Sequence, residues 1–333
     1  MAEAPTVAVL GAAGYAGAIA SALLHRHPGF DLAHVTARSD AGRRLDDLHP
    51  RSRVPLELEA FDPELHGSVN AALVCYPHGA SAPAVAELRD RGVKVVDLSA
   101  DFRLRDRPTY QEWYGEHGAP ERFGTAVYGL PELYRGALAG AGLVANPGCY
   151  PTAAILGLAP LARAGLIADV VIDAKSGASG AGREPTHATH YVSVDENLTP
   201  YKVGGHRHTP EIEQELAVLG SDTPITFTPH LVPLAQGELI SAYVTPSREV
   251  SGRELETLYR DAYETEPWVE VRRGPPGVLD VRETNFCAIS AQRDARTGRV
   301  LVFSAIDNLW KGAASQAVQN LNLMFGRPEG EGL

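Results

Sequence analysis

The chain has 333 residues, 44% of them hydrophobic, which at ~150 residues per domain predicts about two domains with cores large enough to need no disulfide staples. Lys and Arg number 30 against 41 Asp and Glu, a formal charge of −11 that disfavours nucleic acid and anionic membranes as partners and leaves small molecules and proteins. Three Cys exclude a disulfide scaffold, leave at least one thiol to explain and suit a reducing cytoplasm. Met1–Pro5 is too short and too acidic for a signal peptide, and no stretch reaches ~18 uninterrupted apolar residues, so no membrane span is expected.

Thr6–Leu10 is a β-rich run that breaks at Gly11, and Tyr15–His25 follows with Ile19, Leu23 and Leu24 at helical spacing. Strands are predicted at Leu32–Ala37, Ala71–Tyr76 and Val93–Leu98, with a helix over Ala82–Arg91 between the last two. Strands alternating with helices argue a parallel, doubly wound α/β sheet. A short strand at Leu143–Ala145 then leads to a helix over Thr152–Ala164 and a strand over Val170–Ala174. Ser176–His208 is long, rich in Gly, Ser and His and weakly periodic, which is uncommon in a connection without a function. Ile225–Pro233, Glu238–Val244, Asn285–Gln292 and Val300–Ile306 read as strands and hairpins, interrupted by an amphipathic helix over Gly252–Tyr263 and followed by a helix over Leu309–Phe325. The second half is therefore α+β with a mostly antiparallel sheet.

Gly11-Ala-Ala-Gly14-Tyr-Ala-Gly17 joins the first strand to the first helix, where a dinucleotide needs a tight turn, close backbone approach and free helix N–H groups. Gly11, Ala13, Gly14, Tyr15, Ala16 and Gly17 are the candidate phosphate cradle. No acid stands at the tip of the second strand; Arg38 and Ser39 do, and a cation and a hydroxyl suit a 2′-phosphate, so NADP is the expected cofactor. Arg38 reads otherwise as a solvated strand end, and Arg43 and Arg44 could share its duty.

Cys75 and Cys287 fall in apolar strand contexts and read as core. Cys149 differs, because Asn146-Pro-Gly-Cys-Tyr-Pro-Thr puts its sulfur on a bend at a helix start, near unpaired N–H donors that favour the thiolate. Its proton-transfer partner is sought in Gly205-His206-Arg207-His208; His206 is favoured, and spacing barely separates it from His208. No paired His or Cys spacing points to a metal. Ser176-Gly-Ala-Ser179-Gly180-Ala-Gly182 offers backbone donors and hydroxyls to a phosphate or a nicotinamide amide. Arg103 and Arg207 are candidate clamps for an anionic substrate, or else structural ion-pair partners. Lys311 and Asn308 are candidate cofactor contacts, and Asp307 reads as a helix cap.

Together these blocks resemble the N-acetyl-γ-glutamyl-phosphate reductases, the arginine-biosynthesis branch of the aspartate-semialdehyde dehydrogenase-like enzymes. The resemblance rests on Gly11–Gly17, Leu98-Ser99-Ala-Asp-Phe-Arg103, Tyr128-Gly-Leu-Pro-Glu-Leu133, Pro147-Gly-Cys149-Tyr-Pro-Thr152, Ser176–Gly182, His206–Glu211 and Ala305–Gly312. It implies reductive dephosphorylation of an acyl phosphate by NADPH through a thioester on Cys149, with Ser99, Ser179 and Gly180 toward the cofactor and Ser176 and His208 toward the substrate. It also implies that residues 308–333 return to an NADP-binding domain of residues 1–148, leaving 149–307 as a catalytic and oligomerisation domain of a dimer or tetramer. A related family reduces a carrier-linked amino-adipyl phosphate; its cysteine block reads Gly-Cys-Asn-Ala-Thr, so Gly148-Cys149-Tyr-Pro-Thr152 leans toward the arginine enzymes. Aspartate-semialdehyde dehydrogenase is the next alternative, and a non-enzymatic dinucleotide sensor would have no use for the cysteine and histidine blocks together.

Overall fold

The computed structural model describes residues 4–333; Met1–Glu3, part of the segment read as carrying no signal peptide, lie outside the described residues. The chain forms two compact units, one running to Gly148 and including Ala313–Leu333, the other Cys149–Gly312. Residues 308–312, expected with the first domain, thus belong to the second unit. No described helix is long and apolar enough to cross a membrane.

The first unit is built on seven parallel strands, β1 (Thr6–Leu10), β2 (Asp31–Thr36), β3 (Leu58–Glu59), β4 (Ala71–Val74), β5 (Lys94–Asp97), β6 (Val127–Tyr128) and β7 (Leu143–Ala145), in the order β3-β2-β1-β4-β5-β7-β6. Strands β1 and β4 are almost wholly buried, as unbroken apolar runs must be when helices cover both faces. The order reverses between β1 and β4, and such a switch point opens a ligand crevice at the carboxyl ends of the strands. Strands β3 and β6 escape sequence reading because two residues carry no period. Cys75, read as lying within a strand, follows β4 and is half-buried.

The final helix also departs from expectation: Trp310–Ala314 is a π-helical turn, and the α-helix proper is Ser315–Met324. That helix packs on helices Tyr15–His25 and Pro131–Leu138. Its buried face carries amides, which is tolerated because they are bonded: Gln316 Nε2 and Asn320 Nδ2 both donate to the Gly129 carbonyl, at 3.0 and 2.8 Å, and Asn320 Nδ2 lies 3.0 Å from Asn146 Oδ1.

The second unit carries β8 (Ile167–Gly177), β9 (Thr199–Pro200), β10 (Ile225–Val232), β11 (Glu238–Pro246), β12 (Val269–Val271), β13 (Cys287–Arg293) and β14 (Val300–Ile306), in the order β12-β13-β14-β11-β8-β10-β9. The β8/β10 and β12/β13 pairs are parallel and the rest antiparallel. Against this sheet lies the helix Cys149–Arg163, buried from Tyr150 to Ala162 and starting three residues earlier than its sequence predicts. Pro160 within it cannot donate to the Leu156 carbonyl, which accepts from the Tyr263 hydroxyl instead, while the Tyr259 hydroxyl donates to the Gly157 carbonyl at 2.7 Å. The helix that bears Cys149 is thus pinned along its length.

Candidate active site

In the first unit the glycine loop is formed by the chain itself. The N–H groups of Gly11 and Ala12 donate to the Thr36 carbonyl at 3.1 and 2.8 Å, and His49 Nε2 donates to the Ala13 carbonyl at 2.8 Å. Gly11 has φ +81°, and a Cβ at Gly17 would stand 2.4 Å from the Gly11 carbonyl oxygen, so both positions require glycine for the turn. Gly14 is different: its φ is −76° and a Cβ there would meet only the Gly11 oxygen at 3.5 Å. The protein does not need glycine at 14 for its own packing, and the missing side chain clears space before the N–H groups of helix Tyr15–His25, as pyrophosphate demands. The residues present therefore fit a dinucleotide. Ala13 is buried, Ala16 half-buried and Tyr15 exposed at the same helix end.

Arg38 is exposed and meets no carboxylate among the described residues, whereas Arg43 pairs with Asp40 at 3.0 Å and Arg44 with Asp46 at 2.7 Å. Arg43 and Arg44 are therefore committed, and Arg38 is the free cation at the strand tip. Ser39 is exposed, with its hydroxyl 3.4 Å from Asp40. Ser99, implied as a cofactor contact, is buried, donates to Asp97 Oδ2 at 2.7 Å and accepts from the Asp101 N–H at 3.0 Å. Arg103, read as a possible anion clamp, is buried and donates to the carbonyls of Asn146 and Leu98 at 2.8 and 2.7 Å, which fixes the exit of β7 just before Cys149. One His and Glu cluster carries no signal in sequence spacing: Glu59 Oε2 lies 3.0 Å from His34 Nδ1 and 2.8 Å from His66 Nε2, a hydrogen-bonded trio.

In the second unit Cys149 is the first residue of its helix and is half-buried. The other two thiols are poor competitors. Burial, with the nearby Asp97 charge, pushes Cys75 up to about 12, and Cys287 is buried with its sulfur 3.3 Å from the Ser304 hydroxyl. Gly312 abuts Cys149 so closely that a Cβ on it would lie 2.8 Å from the Cys149 Cβ, and the Gly312 N–H is held by the Asp307 carbonyl at 2.9 Å.

The histidine pair surrounds the residue after the cysteine. His206 and His208 have ring centroids 5.7 and 5.9 Å from that of Tyr150, and His206 also packs edge-on against Tyr201 and Phe227. Burial first, then the Lys202 and Arg207 charges, push His206 down to about 4. It is therefore neutral at physiological pH, and its Nδ1 accepts from the His208 N–H at 3.2 Å. Arg207 and His208 are half-buried beside it.

The Ser176–Gly182 loop is clasped. Ala178 and Ser179 N–H groups donate to the Leu234 and Ala235 carbonyls at 2.8 and 3.1 Å. Asn308 ties both sides, its Nδ2 donating to the Ser179 hydroxyl at 3.0 Å and its Oδ1 accepting from the Gly237 N–H at 2.7 Å. Asp307 caps the Leu309 and Trp310 N–H groups with one oxygen and accepts from Gln236 and the Glu283 N–H with the other. Asn308, read as a cofactor contact, thus has both ends of its amide engaged within the unit. Gly180 is exposed, Ser176 buried and Lys311 wholly buried. Glu238, Gly312 and Tyr201 were not singled out in the sequence, and their only signal lay in neighbouring blocks.

Residues 6–141 match the family model described as semialdehyde dehydrogenase, NAD binding domain, and residues 149–308 the one described as semialdehyde dehydrogenase, dimerisation domain. The chain is 48% identical over 332 residues to the N-acetyl-gamma-glutamyl-phosphate reductase of Moorella thermoacetica, covering 96% of this chain and 95% of that one. It is 49% identical over 338 residues to the reductase of the same name from Desulforudis audaxviator, covering 98% and 97%. In fold it resembles the solved aspartate semialdehyde dehydrogenase II of Vibrio cholerae, with a TM-score of 0.75 at 19% identity over 98% of this chain and 99% of that one. Both halves of the chain and its full-length relatives agree, and the chain belongs to the N-acetyl-γ-glutamyl-phosphate reductase family of the semialdehyde dehydrogenases, nicotinamide-dependent oxidoreductases.

Proposed function

We propose that this protein reduces N-acetyl-L-glutamyl 5-phosphate to N-acetyl-L-glutamate 5-semialdehyde with release of phosphate, using NADPH. The observation that carries the reading is Cys149 at the first residue of a buried helix, in a chain 48% identical almost end to end to a named reductase of that substrate. Its sulfur, whose negative charge the first-turn N–H groups favour, attacks the acyl carbon, and phosphate leaves as the thioester forms. The nicotinamide, when bound, supplies the hydride that reduces the thioester. His206 is assigned to proton handling, with His208 as its alternate, and Ser176, Arg207 and His208 to the anionic ends of the substrate. Ser179, Gly180 and Lys311 are assigned to the cofactor, as is the glycine loop.

The choice of substrate is tested by phosphate-dependent NADP⁺ reduction with N-acetylglutamate semialdehyde, aspartate semialdehyde and a carrier-linked amino-adipyl aldehyde. A preference of ~10²-fold or more for the first is expected, since a site built for one set of polar groups rejects substrates that leave them unpaired. Equal rates, or activity only with another aldehyde, overturn the reading.

NADP over NAD is supported by Arg38, exposed at the tip of β2 and free of acidic partners among the described residues. Arg38→Ala should raise KM for NADPH ~10-fold and leave KM for NADH unchanged, because only the former carries a 2′-phosphate for the guanidinium to bind. Parallel changes in both constants would remove Arg38 from cofactor selection. Assembly into a homodimer or tetramer is supported by the dimerisation-domain match and by the exposed apolar side chains Tyr191, Val192 and Leu198 in the second unit; sedimentation as a monomer at micromolar concentration would remove it.

A further inference from the structure

A carboxyl that the chemistry above leaves unused lies against the thiol. Glu238 opens β11, in register with Ser176 of β8 on one side and Ile306 of β14 on the other. The backbone before it is held twice, by Asn308 Oδ1 on the Gly237 N–H and by the Gly177 N–H donating to the Gly237 carbonyl at 3.0 Å. The residue is 0% exposed, and neither carboxyl oxygen meets a donor at full hydrogen-bond geometry. The groups that face it are the Cys149 thiol and the Ser176 hydroxyl; Asp307 adds like-charge repulsion, and the Tyr150 and Tyr201 phenols feel its charge. A buried acid answered only by a thiol and a hydroxyl, with a second carboxylate adding repulsion, costs stability, so a purely structural role explains it badly. His206, by contrast, takes its perturbation from burial, Lys202 and Arg207.

We propose that Glu238 is the general base of acylation, its carboxylate taking the Cys149 proton as sulfur attacks the acyl carbon. The bonds balance without any oxidant. The S–H bond breaks and an O–H bond forms on Glu238, the S–C bond forms, and the C–O bond to phosphate breaks with its electron pair going to phosphate, which takes its proton from solvent. In the reverse direction, phosphorolysis of the thioester, Glu238 returns the proton to sulfur. The neutral carboxylic acid left by acylation is the form that a buried site favours: burial pushes Glu238 up to about 8 against the pull of Cys149 and Ser176. That lies close to an ordinary thiol, so the transfer runs between nearly matched groups.

This inference rests on the acyl-phosphate reading of Cys149, and two measurements keep the two apart. The first is alkylation of Cys149 by iodoacetamide against pH, read by peptide mass, which needs neither substrate nor cofactor. As pH rises through about 8, Glu238 ionises and can take the thiol proton, so the wild-type rate carries a rise there; Glu238→Gln should lose that inflection and keep only the thiol's own ionisation. A wild-type profile without it, or an unchanged profile in the variant, overturns the proposal with no appeal to a variant's fold. The second is the burst of phosphate from N-acetylglutamyl phosphate without the nicotinamide, expected to slow ~10²-fold in Glu238→Gln while the melting temperature holds. A burst within threefold of wild type returns the base to the histidines and overturns the proposal; no wild-type burst at all counts against the acyl-phosphate reading, and the alkylation profile still decides on Glu238.

Discussion

Cys149→Ser is expected to lower turnover of the acyl phosphate by ~10³-fold or more while leaving the melting temperature within a few degrees of wild type. Serine is nearly isosteric, and Cys149 is only half-buried, so packing of the helix Cys149–Arg163 should survive. What changes is the nucleophile: the N–H groups of a first helical turn can stabilise a thiolate at neutral pH, but a serine hydroxyl stays protonated there. The check is steady-state NADPH oxidation with fresh acyl phosphate, and retention of more than a few per cent of wild-type turnover would rule out covalent catalysis at this position.

Gly312→Ala is the second large effect, and it acts on placement rather than chemistry. A methyl group at 312 would sit 2.8 Å from the Cys149 Cβ and 3.2 Å from its Cα, closer than side-chain carbons pack. The Gly312 N–H is tied to the Asp307 carbonyl, and Asp307 is itself bonded to Leu309, Trp310, Gln236 and Glu283, so the π-helical turn cannot easily yield. The cysteine must move instead, and an error of ~1 Å at a reacting atom costs about 10²-fold in rate. Overpacking should cost about 1–3 kcal/mol of stability. A fall in kcat with KM changed less than threefold, alongside slower alkylation of Cys149, is the expected signature; wild-type kcat would show that the turn and the cysteine are not mechanically coupled.

Much of the fold was legible because its signals are local. The helices Tyr15–His25 and Gly252–Tyr263 and the strands Thr6–Leu10 and Val300–Ile306 stand where period and punctuation place them. Errors cluster where the deciding interactions are not local. Strand β8 runs from Ile167 to Gly177 rather than over Val170–Ala174 because its ends are paired by β10 and β11. The helix over Ser315–Met324 buries amides that sequence reads as surface, because Gly129 and Asn146 come from far along the chain to meet them. The hydrogen bonds of Arg103 to Asn146 and of Asn308 to Ser179 and Gly237 likewise join residues far apart in the chain.

By itself the sequence determined that a glycine loop joins the first strand and helix, that Cys149 stands at a helix start, and that Arg38 rather than an acid ends the second strand. Each is written in neighbouring residues through turn chemistry, helix punctuation and charge. Only the tertiary structure decided what the cysteine faces. Glu238 lies opposite Ser176 because β11 pairs with β8 across some sixty residues of chain, and Gly312 meets Cys149 because the strand β14 returns the chain to the start of that helix. A strand register carries a side chain to one partner and no other, and register is a property of the folded sheet.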